Sequence, residues 1–188
     1  MQHISAAAQK FFTHPAVIVS SAYAIAYLIT VMFLSGAVVG GSGPTASASL
    51  IFLPHGVRII AAWLYGWRAV FYILPGAYIT HLARLQEASS VSLSDFLGPA
   101  FGVLCASFCF SVIARMGHDL RFGSGNRINW RDIILVGALA SVINSAGTNL
   151  VYGNSLHITA GYFVGDILGM ITVMFILMLS FRLHRKYS

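Results

Sequence analysis

Residues 51–76 read IFLPHGVRIIAAWLYGWRAVFYILPG, and the reading of this stretch decides the fold. It is apolar enough to lie in a bilayer. Yet Pro54, His55, Gly56 and Arg58 fall within one or two helical turns of each other. An ionisable side chain inside a lipid-spanning segment is costly and usually faces a protein interior or a cavity. Proline removes a backbone donor and kinks or interrupts a helix. The stretch therefore predicts a second membrane helix broken at Pro54–Gly56, with a polar cluster at the break whose partners must come from elsewhere in the chain.

The composition agrees with a membrane setting. The 188 residues are 57% hydrophobic and only 9% charged, with a mean hydropathy of +0.80. Soluble domains carry about 25% charged residues, so the soluble classes are excluded. The formal net charge of +6 would point to nucleic acid in a soluble protein. Here the basic residues cluster in loops and at the C-terminus, where they orient membrane segments.

Working outward, six apolar segments emerge, at about residues 15–40, 46–65, 69–82, 96–114, 133–152 and 158–181. The predicted fold is all-α, a polytopic membrane bundle of about six transmembrane helices. Residues 1–14 form an interfacial N-terminal segment, 15–181 the membrane domain and 182–188 a basic tail. The third segment is short for a full span of about 20 residues and contains Pro75. The uncharged GGSGPTASAS and the LARLQEASSVSLSD stretch read as loops, the second with a capping Ser94 or Asp95.

With both termini on one side, Lys10, Arg68, Arg115, Arg121, Arg127, Arg131, Arg182, Arg185 and Lys186 share that side. Only Arg84 lies opposite, and Arg58 lies within the membrane. This asymmetry predicts cytoplasmic N- and C-termini.

The topology also places the polar residues of the spans. Arg58, Asp166, Asn144, Thr148 and Asn149 all fall in the outer half of the membrane. Arg58 and Asp166 are the two clear charges there, and opposite charges at one depth are expected to pair because either alone is expensive. Ser141, Asn144, Ser145 and Thr148 form one stripe at i, i+3, i+4 and i+7. Gly165 and Gly169 flank Asp166 in a GxxxG pattern that marks a packing face.

Two readings remain open. In the functional one, His55, Arg58, Asn144, Thr148, Asn149 and Asp166 line an outward-facing pocket for a small, anionic ligand. In the structural one, the same groups are a buried ion pair and interhelical hydrogen bonds that lock the bundle. Trp63, Tyr65 and Trp67 read as an interfacial belt. Cys105 and Cys109, one helical turn apart, read as small buried residues. No HExxH, GxSxG, phosphate-binding loop or CxxC is found. No catalytic residue, metal site or cofactor is assigned.

The stretch IFLPHGVRIIAAWLYGWRAVFYILPGAYIT, together with FVGDILGMITVMFIL, resembles the first membrane-associated sensor domain family. The first matches that family's Pro-x-Gly, apolar helix, Gly-Trp/Arg, Pro-Gly signature, through Pro54, Gly56, Gly66 and Pro75. The second matches its Gly-Asp-x-Leu-Gly helix, through Gly165, Asp166 and Gly169. The resemblance implies an all-helical sensory input domain of the kind that precedes cyclic-di-GMP enzymes or histidine kinases in a bacterial inner membrane. His55 and Arg58 depart from it, standing where neutral residues are expected. Nothing follows Ser188 that reads as an output domain, so a stand-alone copy is expected to act through a membrane protein partner.

The expected function is thus a non-enzymatic, sensor-like binding module. The alternatives are an accessory subunit of a larger membrane complex, and a small transporter or the substrate-binding subunit of one.

Overall fold

A computed structural model describes residues 12–34, 38–40, 47–85 and 92–187. The expected interfacial segment up to residue 11, the middle of GGSGPTASAS and residues 86–91 of the second expected loop lie outside the described residues. The described chain is all-helical apart from one small ribbon. Its helices are α1 (Pro15–Phe33), α2 (Leu53–Tyr65), α3 (Arg68–Leu85), α4 (Leu93–Arg115), α5 (Trp130–Tyr152) and α6 (Leu156–Tyr187). Between α1 and α2, strands β1 (Val38–Gly40) and β2 (Ser47–Ser49) pair antiparallel.

Four helices, α1, α4, α5 and α6, are long and apolar enough to cross a membrane. They make the chain a multi-pass membrane protein. Their outer faces expose large hydrophobics such as Ile25, Leu135, Leu150 and Phe175, which suit contact with lipid and not with water. The other two expected spans are not among these candidates. The 13 residues of α2 reach only about 20 Å at 1.5 Å per residue, against about 30 Å of hydrocarbon. The 18 residues of α3 reach about 27 Å and carry Arg68, Pro75, His81 and Arg84.

The expected break inside the second helix is corrected. Residues 47–49 are extended, and α2 starts afresh at Leu53 and runs unbroken through Pro54, His55, Gly56 and Arg58. Pro54 lies in the first turn, where its missing N–H has no intrahelical partner to lose and its fixed φ suits the helix. The proline starts the helix; it does not interrupt one. The free donors of that first turn find partners nearby. Leu53 N–H reaches Thr30 Oγ1 of α1 at 3.3 Å, and His55 N–H reaches the Phe52 carbonyl at 3.2 Å.

This short helix is the axis of the molecule. It packs against all five other helices, most extensively against α6. The pairs α1–α3, α3–α4, α4–α5 and α5–α6 continue the contacts around it. Leu53, Pro54, His55, Gly56, Arg58, Ile59, Ala61 and Ala62 are all buried. Charged residues are tolerated on α2 because protein, and not lipid, surrounds them.

The glycines of α6 shape the entry to α2. A Cβ at Gly165 would strike the carbonyl oxygen of Ser49, and one at Gly169 the carbonyl of Phe52. Phe52 N–H donates to the Gly165 carbonyl at 2.9 Å. The GxxxG face therefore seats an extended segment of backbone before it seats a helix. Non-helical backbone at membrane depth needs protein cover of this kind. One turn further on, Gly56 of α2 meets Val173 and Met170 of α6.

The other predicted helix signals act locally. Gly66, at φ +57°, makes the turn from α2 to α3, and its carbonyl accepts from Ser107 Oγ at 3.1 Å. Pro75 stays inside α3, and Ser20 Oγ of α1 donates to the carbonyl of Tyr72, one turn before it, at 2.6 Å. Ser92, and not Ser94 or Asp95, is the N-cap of α4, with Asp95 completing a capping box.

Candidate functional site: a buried polar cluster at the start of the axial helix

Two helices bring the central residues together. The first turns of α2 carry His55 and Arg58, and α6 carries Asp166, next to Gly165 and about one turn before Gly169. His55 is 0% exposed, Asp166 1% and Arg58 5%. The cluster is enclosed. It is not the outward-facing pocket expected from sequence, because the chain at 48–52 lies against α6 and the Phe52 ring lies 5.4 Å from the Arg58 guanidinium carbon.

Asp166 is held from two sides. Asn144 of α5 donates through Nδ2 to its Oδ2 at 2.7 Å. His55 places Nδ1 at 3.4 Å from the same oxygen, within ion-pair range but without hydrogen-bond geometry. The other ring nitrogen, Nε2, is 3.2 Å from the Gly137 carbonyl of α5. Three helices thus meet at one chain of contacts, from Gly137 through His55 and Asp166 to Asn144.

Arg58 does not pair with Asp166, and this corrects the expected ion pair. Its Nη2 donates to the Tyr23 hydroxyl of α1 at 2.8 Å. The guanidinium also lies over the Tyr23 ring at 5.4 Å, a cation–π arrangement. Its plane rests on Gly102 of α4, where a Cβ would come within 2.7 Å of Nη2. The physical reason is direction. Arg58 and His55 are three residues apart on α2, and His55 occupies the approach to Asp166 while Arg58 extends toward α1 and α4. Depth along the membrane normal sets which residues share a level, but not which face of α2 each side chain leaves from.

The remaining predicted residues are placed differently. Thr148 is buried, but its hydroxyl bonds the Asn144 carbonyl of its own helix at 2.7 Å. Asn149 is half-buried, and its carbonyl accepts from Gly153 N–H at the end of α5. Neither side chain makes a hydrogen bond to His55, Arg58 or Asp166. Ser141 does add an interhelical bond, donating to the Phe163 carbonyl at 3.0 Å. Among the described residues, two polar atoms of the cluster have no hydrogen-bond partner, His55 Nδ1 and Arg58 Nε.

Sequence reasoning missed Tyr23, Phe52, Gly102 and the role of the Gly137 carbonyl. Tyr23 offered a faint signal, as a phenol within the small-residue run Ser21, Ala22, Ala24 and Ala26 of α1. The contributions of Gly137 and Phe52 are a backbone carbonyl and a ring face. No side-chain pattern announces such roles.

The far end of α2 meets a second feature. The α4–α5 connection folds back so that Phe122 N–H donates to the Trp63 carbonyl at 2.9 Å. The two rings pack edge to face at 5.3 Å. Asp119 organises this loop: Arg121 forks onto its carboxylate at 2.8 and 2.6 Å, and its carbonyl accepts from Ser124 and Asn126. The hydrogen bonds from Arg121 hold the Asp119 carboxyl below the usual carboxylate range, and in return raise Arg121. Beside the loop lies an open cavity of about 340 Å³ lined by Trp67, Ser111, Ala114, Arg115, Asp119 and Arg121.

Among the described residues, no three His, Cys, Asp or Glu side chains gather as a metal-ligating group. No family model, curated protein or solved structure matches the chain.

Proposed function

We propose that this chain is a sensor-like membrane module of the kind its sequence resemblance implies, without catalytic activity of its own. It binds a small ligand at the His55–Arg58–Asp166 cluster and acts through a protein partner. One observation carries the reading: the two ends of α2 hold its two polar features. The first turns bear a buried, incompletely bonded charged cluster, and the last turn holds the folded loop through Trp63. A buried polar atom without a partner is rare and calls for an explanation. Here an occupant that completes the bonding of the cluster would shift α2, and the shift would reach the loop. The Lys/Arg asymmetry of the sequence supports placing that loop in the cytoplasm, within reach of a partner.

The alternative is an accessory subunit in which the cluster is a lock. The interhelical bonds of Asn144 to Asp166 and of Ser141 to Phe163 favour it. Gentle detergent purification followed by mass spectrometry of co-purifying proteins and small molecules separates the two. The sensor reading expects Arg58→Gln to abolish the downstream response while the partner still co-purifies. A folded Arg58→Gln chain with an unaltered response would leave only the lock.

A further inference from the structure

We propose that His55 and Asp166 hold one exchangeable proton between Nδ1 and Oδ2, so that the ligand of the buried cluster is a proton taken from water. This deepens the sensor reading and depends on it only for the consequence of binding. The argument starts from the other side of the ring. The Gly137 carbonyl can only accept, so the 3.2 Å contact at Nε2 requires a proton on Nε2. In a neutral imidazole Nδ1 then carries a lone pair. That lone pair lies 3.4 Å from a carboxylate oxygen, off hydrogen-bond geometry, so two acceptors sit close together. One added proton, with a small turn of the ring, replaces the repulsion by an N–H···O hydrogen bond.

The surroundings fix the charge of the two states. Arg58, also on α2, contributes a cation nearby. From α1 comes the Tyr23 phenol, bonded to Arg58. From α4 comes the Cys105 thiol, which donates to the Gly102 carbonyl. From α5 come Asn144 and the Gly137 carbonyl, both uncharged. From α6 comes Asp166 alone. Without the extra proton, Arg58 and Asp166 cancel. With it, the cluster carries a single positive charge. Loading forms one N–H bond to a proton from water and moves no electrons between residues.

The mechanical consequence follows from position. His55 lies in the first turn of α2, next to Gly56, which meets Met170 and Val173 of α6. Loading therefore pulls these two helices together at that turn, and unloading pushes them apart.

The test is nitrogen NMR of the full chain, labelled with 15N-histidine, in lipid nanodiscs. His55 is assigned by the signal lost in His55→Gln. Between about pH 8 and about pH 4, a window that reaches well below the ordinary histidine value of about 6.5, Nδ1 should gain a proton while Nε2 keeps its own. Asp166→Asn should move that step down by about 1–3 pH units, the effect of losing a nearby opposite charge, or remove it. Asp166→Glu should keep it, and serves if Asp166→Asn does not fold. A spectrum with Nδ1 unprotonated throughout, and no carboxylic-acid stretch lost in Asp166→Asn by infrared, overturns the proposal. A His55 step at the same pH in Asp166→Asn also overturns it. Trp63 fluorescence, isolated by Trp67→Phe and Trp130→Phe, reads the coupling separately. A His55 step with no matching change at Trp63 upholds the proton site and removes the sensor reading.

Discussion

Replacing Gly169 by Ala should weaken the bundle, although the same change in an isolated helix would strengthen it. In the interior of a lone helix, Ala is better than Gly by about 1 kcal/mol. In this bundle the new Cβ falls on the carbonyl of Phe52, with the nitrogen of Leu53 at 2.8 Å. Both obstacles are backbone, so no rotamer change relieves them. Residues 52 and 53 must move off α6, and the 2.9 Å bond from Phe52 N–H to Gly165 is strained or lost. Overpacking costs about 1–3 kcal/mol and the hydrogen bond about 1 kcal/mol. Against the propensity gain, the net loss is about 1–3 kcal/mol. Cys105 and Cys109 are free and buried, so a thiol-reactive dye reports unfolding in mild detergent without an added label. The expected result is a lower midpoint, by about 2–4 °C for each kcal/mol in a chain of this size. A midpoint equal to or above that of the parent would refute the claim that α6 seats the backbone of 49–52.

Three further outcomes are expected. In double-mutant cycles scored by the same unfolding assay, Asp166→Asn should couple to His55→Gln more strongly than to Arg58→Gln, because only His55 is in ion-pair range; equal coupling would restore the Arg58–Asp166 pairing. Tyr23→Phe removes the hydroxyl that accepts from Arg58 at 2.8 Å and should cost about 1–3 kcal/mol, the range for a buried group left unsatisfied; no loss in the unfolding assay would show that the guanidinium finds another acceptor. The Asp119–Arg121 pair is about one-third exposed, so Asp119→Asn should cost under about 1 kcal/mol. Because the folded Asp119 is shifted down, its contribution is full above the ordinary carboxylate range near pH 4 and is lost as pH falls below it. Trp63 fluorescence should follow that loss, and a loop signal flat across the window would count against Asp119 as its organiser.

Composition and pattern alone determined that the chain lives in a bilayer. A low charge content and long apolar runs leave no other solvent for it, and four of the expected segments became helices able to span. The sequence also marked four residues that meet in the cluster, His55, Arg58, Asn144 and Asp166, because polar groups among apolar ones must seek each other. Three matters were left to tertiary structure. Pro54 reads equally as a break within a helix or the start of one, and the choice fell to the extended backbone seated on Gly165 and Gly169. Helix α2 is too short to span and is tolerated because five helices surround it, a fact no local window contains. Finally, depth could be counted along each segment, but azimuth could not. The rotation of α2 about its axis sent His55 to Asp166 and Arg58 to Tyr23, and that rotation is set by how all five neighbours pack at once.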